Sequence, residues 1–150
     1  MSIILVAASF LFFACKEGLK KDEKAVDVHE LTKDQPDVHG NQLKESDVTV
    51  SNPLNADWVS AGKSTYELKC QSCHRLTEEK LVGPGWKDVT KRRKPVWIMN
   101  MITNVDMMLE SDAEAQKLLE QCMVRMPNQN LSQDQARQVL EFMRSNDGEK

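Results

Sequence analysis

The sequence contains few of the residues from which a hydrophobic core is usually built. Aromatic residues make up 5% of the 150-residue chain, and no stretch alternates between apolar and polar residues as a half-buried strand does. A helical domain of fewer than 100 residues with so small a core usually needs a disulfide, a metal ion or a prosthetic group. After residue 53 the aromatic residues are Trp58, Tyr66, Trp86, Trp97 and Phe142.

The N-terminus lacks a basic residue ahead of its apolar run, and that run lacks the length needed to cross a membrane. Residues 3–14 are apolar apart from Ser9 and end next to Cys15. A transmembrane helix needs about 20 apolar residues, so this run favours a secretory signal ending at a lipidated cysteine over a membrane anchor. We predict a lipoprotein-type signal over residues 1–15, lipidation of Cys15, and a bacterial cell-envelope location facing the periplasm.

Residues 16–53 lack aromatic residues and any sustained helical or strand period. They hold six basic and nine acidic residues, which accounts for the whole net charge of −3. A segment of this composition cannot bury enough apolar surface to fold, so we predict a flexible tether. A coil of this length has a typical end-to-end distance of about 35 Å. A domain at residues 54–150 could then move near the membrane.

Helical patterns and no strand patterns mark residues 54–150. The last helix is the clearest, because a capping-box sequence precedes a stripe of apolar residues at helical spacing. We predict an all-α domain of about four to five helices. The start signals are, in chain order, Asp57, Pro95, the region of Ser111, and Ser132 with Gln135.

A single CxxC pair is present, Cys70 and Cys73, and His74 follows it directly. Structural zinc needs about four ligands, commonly from two such pairs, and a redox dithiol usually follows a strand in a βαβ pattern. C-x-x-C-H is also the attachment sequence of c-type haem, in which both sulfurs bond to one haem and the histidine ligates the iron. This interpretation accounts for all three residues and for the small core.

The sequence contains eight methionines, each of which is a candidate for the second iron ligand. Met1 lies in the predicted signal, and most others lie in helical patterns where packing explains them. Met126 differs because it leaves the third predicted helix and is followed by Pro127 in a loop. We predict Met126 as the sixth iron ligand, with Met123 and Met101 as rivals.

Residues 56–146 resemble a class I monohaem cytochrome c in the order of their motifs. Two segments, 92–102 and 126–143, are also similar to membrane-tethered cytochromes found beside terminal reductases, including those that serve nitrous oxide reductase. The motifs are, in order, Gly62 and Tyr66 in the first helix, CQSCH, the Gly83–Pro84 pair, Met126–Pro127, and Phe142 in the last helix.

The resemblance implies a small fold around one covalently bound haem c. The first and last helices are expected to cross at Gly62, with Phe142 packed at the crossing. The carbonyl of Pro84 is expected to accept a hydrogen bond from His74 and so orient its ring. The candidates for contact with the haem propionates are Trp86, Trp97, Arg92 and Arg93.

Iron held by His74 and Met126 has no open position for a substrate, which predicts an electron carrier and not an enzyme. Its partners would be redox proteins, a quinol-oxidising complex or other donor and a terminal oxidase or reductase as acceptor, with no nucleic acid. The alternative is a haem enzyme or sensor whose open or labile sixth site binds peroxide or a gas. A zinc or dithiol lipoprotein without haem is a third possibility.

Two features remain open in the sequence. The basic run, residues 87–94, is typical of a solvated loop and helix start, but it also suits an acidic partner or a buried anion. Cys122 fits a buried, inert helical position, or alternatively a redox-sensitive thiol or an intermolecular disulfide bridge.

Overall fold

A computed structural model describes residues 42–150, which form helices joined by loops, with no β-strand among them. The predicted all-α class is therefore confirmed. No helix within 42–150 has the length and apolar character needed to cross a membrane. The helices are α1 (Ala56–Lys69), α2 (Val89–Arg92), α3 (Pro95–Thr103), α4 (Val105–Ser111), α5 (Ala113–Cys122) and α6 (Gln133–Asn146).

Helices α1 and α6 cross in close contact at Gly62, as expected. A Cβ atom at this glycine would lie 2.5 Å from the carbonyl carbon of Gln138 and 2.9 Å from Cβ of Phe142. The rings of Tyr66 and Phe142 pack beside the crossing with their centroids 5.5 Å apart. Only a residue without a side chain permits this approach of the two backbones.

Asparagine and aspartate side chains begin three of the helices, and two of these starts differ from the predicted ones. Asn55, and not Asp57, caps α1 by accepting from the backbone N–H of Trp58 at 3.0 Å. Asn104 interrupts the apolar stripe predicted as one helix, because its side chain caps α4. Asp112 caps α5. The helix count rises to six because of this interruption and the four-residue α2.

The capping box predicted at the start of α6 is present. Ser132 Oγ accepts from the Gln135 backbone at 3.2 Å, and the Gln135 side chain accepts from the Ser132 N–H at 3.0 Å. Further along α6, the buried Glu141 accepts from the backbone of Asn55 at 2.9 Å and from Arg144 at 2.9 Å. This carboxylate joins the start of α1 to α6, and no pattern in the sequence predicted it.

Residues 42–53, which we predicted to be part of the tether, pack against the helical domain. Leu43 is buried, and its backbone N–H and C=O form two hydrogen bonds, 2.8 and 3.0 Å long, with the side-chain amide of Asn100 in α3. Arg137 of α6 donates to the carbonyl of Thr49 at 3.1 Å. The domain therefore begins earlier than residue 54. The predicted signal, Cys15 and the rest of the tether lie outside the described residues.

Candidate haem-binding site

The cofactor-binding residues predicted from the sequence all line one cavity of about 440 Å³. Its walls come from parts of all six helices, from the loop between α1 and α2, and from the loop between α5 and α6. Most of the lining is apolar, as in other cofactor sites. The predicted residues on its walls are Cys70, Cys73, His74, Pro84 and Met126.

The CQSCH segment turns immediately after α1. The N–H groups of Cys73 and His74 both donate to the carbonyl of Cys70, at 3.0 and 2.9 Å. Neither cysteine forms a disulfide with another residue of the described chain. This turn brings two sulfurs and one imidazole to the same cavity, which is the donor set that a c-type haem requires.

Cys70 is buried, and burial raises the pKa of its thiol to about 11. Desolvation is the main cause, because a buried thiolate would lose its hydration. The thiol is therefore protonated at neutral pH. Cys70 would hold a haem as a thioether, formed by addition of its S–H across one vinyl group of the haem.

The imidazole of His74 is held in one orientation. Its Nδ1 lies 2.8 Å from the carbonyl oxygen of Pro84, so Nδ1–H donates and the lone pair of Nε2 is available to a metal. Burial lowers the pKa of His74, although the hydrogen bond to Pro84 opposes that shift. The neutral imidazole, which is the form that ligates a metal, is therefore favoured.

Two neighbours fix the position of His74 beyond this hydrogen bond. Gly83 leaves no room for a side chain, since a Cβ there would lie 2.8 Å from Nδ1 and 2.9 Å from Nε2 of the ring. The hydroxyl of Tyr66 donates to the His74 carbonyl at 2.8 Å. The sequence analysis named Tyr66 only as a motif residue of the first helix and missed this contact.

The three candidate methionine ligands differ in their relation to the cavity. Met126 is half-buried and lines it, and so does Met101 in α3. Met123 is 85% exposed, has a left-handed backbone at the end of α5, and does not line the cavity. Met143 in α6 also lines it, although the sequence indicated only a packing role.

Two lysines connect the side of the site that carries the CQSCH segment to α5 and to the loop that follows it. Lys69, next to Cys70, donates to the carbonyl of Gln129 at 3.1 Å. Lys80, in the loop between α1 and α2, donates to the carbonyl of Gln121 near the end of α5 at 2.7 Å. Both connect the wall that carries the CQSCH segment to the wall that carries Met126.

All four candidate propionate partners line the cavity, and the structure separates them by what they already contact. The ring N–H of Trp97 donates to Asp112 at 3.1 Å, and Arg93 pairs with Glu114 at 3.0 Å while lying 4.7 Å from the Trp97 ring centroid. Arg92 donates to the carbonyls of Gly85 and Lys87. Trp86 is buried, with its ring centroid 5.5 Å from that of His74.

Cys122 is half-buried and also lines the cavity.

The cavity, the CQSCH turn and the oriented histidine together define a protein that attaches haem through two thioethers. The chain belongs to the cytochrome c family, whose Cytochrome c model matches residues 59–147. It carries covalently attached haem c and acts in haem-based electron transfer.

Solved structures of similar proteins include the cytochrome c from Rhodothermus marinus. It is 34% identical, the match covers 67% of this chain and 85% of that chain, and the TM-score is 0.65. An engineered form of the same cytochrome c, Rma TDE, is 33% identical with 67% and 86% coverage and a TM-score of 0.64. A further structure shows Rma TDE bound to a carbene intermediate, at 34% identity, 67% and 86% coverage and a TM-score of 0.61. No match was found among curated proteins.

Proposed function

We propose that this cytochrome c carries single electrons in a respiratory chain of the bacterial cell envelope, with His74 and Met126 as the two iron ligands. The observation that carries the proposal is that the oriented imidazole of His74 and the thioether of Met126 line the same cavity as Cys70 and Cys73. Bound haem supplies a one-electron Fe(III)/Fe(II) couple.

The residues around the cavity determine how that couple is used. Haem iron held by both His74 and Met126 would have no coordination position left for a substrate, which favours outer-sphere electron transfer. A soft methionine sulfur also stabilises the reduced state more than a second histidine does. The apolar lining excludes water and disfavours the additional positive charge of the oxidised state. The chain thus favours a carrier of relatively high potential.

Carbon monoxide binding distinguishes the carrier from a haem enzyme or sensor with an open site. We expect the reduced wild-type protein to show an unchanged optical spectrum under carbon monoxide, because both axial positions are filled. The Met126→Ala variant should bind carbon monoxide, since truncation opens the sixth position. A wild-type protein that binds carbon monoxide as readily as this variant would support the enzyme or sensor instead.

We further propose that Cys15 carries a lipid and that the domain works on the periplasmic side of a membrane. The apolar segment 3–14 before Cys15 supports this proposal. The 27 residues from Cys15 to the described domain would give a typical reach of about 30 Å as a flexible coil. Replacing Cys15 by serine in the full chain should move the protein from the membrane fraction to the soluble fraction. An unchanged membrane fraction would contradict lipid anchoring at this residue.

We propose that the protein receives electrons from a quinol-oxidising complex or another donor. It passes them to a terminal oxidase or reductase as the acceptor. Segments 92–102 and 126–143 resemble membrane-tethered cytochromes found beside terminal reductases. This resemblance favours a reductase such as nitrous oxide reductase as the acceptor. Reduced protein mixed with that enzyme should be oxidised when nitrous oxide is added, as followed by the loss of the reduced haem bands. Oxidation that requires oxygen and a terminal oxidase would assign the other acceptor class.

A further inference from the structure

A short turn at the edge of the haem cavity, residues 85–93, contains α2. Val89, Arg92 and Arg93 of this turn line the cavity. Helix α2 has only four residues, and a helix of that length is not stable on its own. The residue before it, Asp88, has a left-handed backbone with φ of 56°, and its side chain does not cap the helix. Contacts from outside α2 must therefore hold it in place.

The carboxylate of Asp147, which directly follows α6, takes the place of the missing cap. Its Oδ1 accepts from the backbone N–H of Asp88 at 2.6 Å. Its Oδ2 accepts from the backbone N–H and the hydroxyl of Thr90, at 2.8 and 2.7 Å. Hydrogen bonds to a charged acceptor are roughly twice as strong as neutral ones. Asp147 is itself anchored, because its N–H donates to the carbonyl of Met143 at 3.0 Å. The end of α6 thus fastens the start of α2.

The side chain of Arg92 is tied to the backbone of the same turn. Its Nε donates to the carbonyl of Asp88 at 3.3 Å. Its Nη2 donates to the carbonyls of Gly85 and Lys87, at 3.2 and 2.9 Å. The position of the guanidinium at the cavity therefore follows the position of the turn.

The charge of Arg92 also differs from the other charges of the basic run. Within residues 42–150 the other four cations of the run form ion pairs, whereas Arg92 donates only to backbone carbonyls. A positive charge beside a haem favours the ferrous state, because the ferric state carries an additional positive charge. The ion pairs are Lys87–Glu78, Lys91–Asp88, Arg93–Glu114 and Lys94–Glu45.

We propose that Asp147 is a positioning residue for the reduction potential, because it holds the start of α2 and so keeps Arg92 beside the haem. This inference deepens the proposed electron-transfer function and rests on it. Asp147 does not line the cavity, so it acts through α2 and Arg92 and not by contact with the haem. Only the one-electron Fe(III)/Fe(II) couple is involved, and no bond forms or breaks.

The reduction potential of the full-length holoprotein, measured by spectroelectrochemical titration, tests this role. We expect Asp147→Ala to shift the equilibrium between the two iron states about threefold toward Fe(III), which lowers the potential by about 28 mV for one electron. Loss of the carboxylate charge alone would act in the opposite direction, because a nearby negative charge favours the ferric state. A fall in the potential therefore reports the displacement of Arg92.

Two comparisons isolate the route through Arg92. In an Arg92→Gln background, Asp147→Ala should no longer lower the potential, because no guanidinium charge is left to be displaced. Glu149→Gln is the matched control. It removes a carboxylate charge from the same end of the chain, keeps an acceptor for Arg144, and touches no hydrogen bond of α2. Its potential should not fall below that of the wild type.

Amide hydrogen exchange of the reduced holoprotein gives a readout that does not depend on the potential. The N–H groups of Asp88 and Thr90 should exchange about tenfold faster in Asp147→Ala, because they lose their acceptors, and at the wild-type rate in Glu149→Gln. Thr90→Val removes only the hydroxyl bond to Asp147 and keeps every charge. It should lower the potential by a smaller amount, and it decides the question if Asp147→Ala does not retain haem.

The proposal is overturned if Asp147→Ala raises the potential or leaves it unchanged, or if it lowers the potential equally in the Arg92→Gln background. A Thr90→Val potential equal to that of the wild type would also contradict it. Failure of the proposed iron ligation is read separately from the Met126→Leu spectrum, which does not involve Asp147. An unchanged Asp147→Ala potential together with an altered Met126→Leu spectrum would reject the role of Asp147 alone.

Discussion

The contact between α1 and α6 at Gly62 gives a sharp stability prediction. In an isolated helix, replacing glycine by alanine is favourable by about 1 kcal/mol, because glycine loses more backbone entropy on folding. In this protein the added Cβ would lie 2.5 Å from the carbonyl carbon of Gln138 and 2.9 Å from Cβ of Phe142. The helices must separate by about 1 Å before these atoms reach ordinary van der Waals distance.

Backbone atoms of Gln138 supply part of this contact, so a change of side-chain rotamer cannot relieve it. Overpacking of a close contact typically costs about 1–3 kcal/mol, with larger values where the backbone must move. After the gain in helix propensity, we expect Gly62→Ala to lose about 2 kcal/mol or more of the free energy of unfolding. The packing of Tyr66 against Phe142 would be loosened by the same movement.

Guanidinium unfolding of the holoprotein, followed by far-UV circular dichroism, measures this loss. Gly148→Ala is the matched comparison, because it adds a Cβ with nothing within 4 Å, at a glycine with φ of +90°. We expect it to lose only about 1 kcal/mol, from backbone strain alone. A Gly62→Ala variant within 0.5 kcal/mol of the wild type, on the order of the usual surface substitution, would refute the steric argument.

Three other substitutions probe the groups that hold the site. Gly83→Ala should displace the His74 ring, because the added Cβ would lie 2.8 Å from Nδ1. We therefore expect a high-spin fraction in the ferric optical spectrum. An unchanged low-spin spectrum would contradict the tight packing at Gly83. Tyr66→Phe removes the hydrogen bond to the His74 carbonyl and should lower the unfolding free energy by about 1 kcal/mol, whereas no loss in denaturant unfolding would assign the hydroxyl no role. Asn100→Ala removes both hydrogen bonds to Leu43. Limited proteolysis should therefore cut segment 42–53 faster in this variant than in the wild type. Equal cleavage rates would show that other contacts hold this segment in place.

The helical fold and the residues of the haem site could largely be predicted because the relevant signals are local. The CQSCH spacing, the Gly83–Pro84 pair and the Ser132 capping box each act over a few residues. The hydrogen bond between His74 and Pro84 could be expected from the family resemblance, and it is present at 2.8 Å.

The features that the sequence did not reveal depend on contacts between distant residues. Leu43 is one apolar residue in a polar segment, and its burial requires the amide of Asn100, which is 57 positions away. Glu141 sits within the apolar stripe of α6, and only the approach of Asn55 and Arg144 gives its carboxylate partners.

The most direct test of the account is the optical spectrum of the full-length protein, oxidised and then reduced, for the wild type, Met126→Leu and Met101→Leu. Ligation by His74 and Met126 predicts a low-spin c-type spectrum with the ferric methionine-to-iron band. Met126→Leu should abolish that band, and Met101→Leu should retain it. A high-spin wild type, or a band that persists in Met126→Leu, would contradict the assignment of Met126 as the sixth ligand.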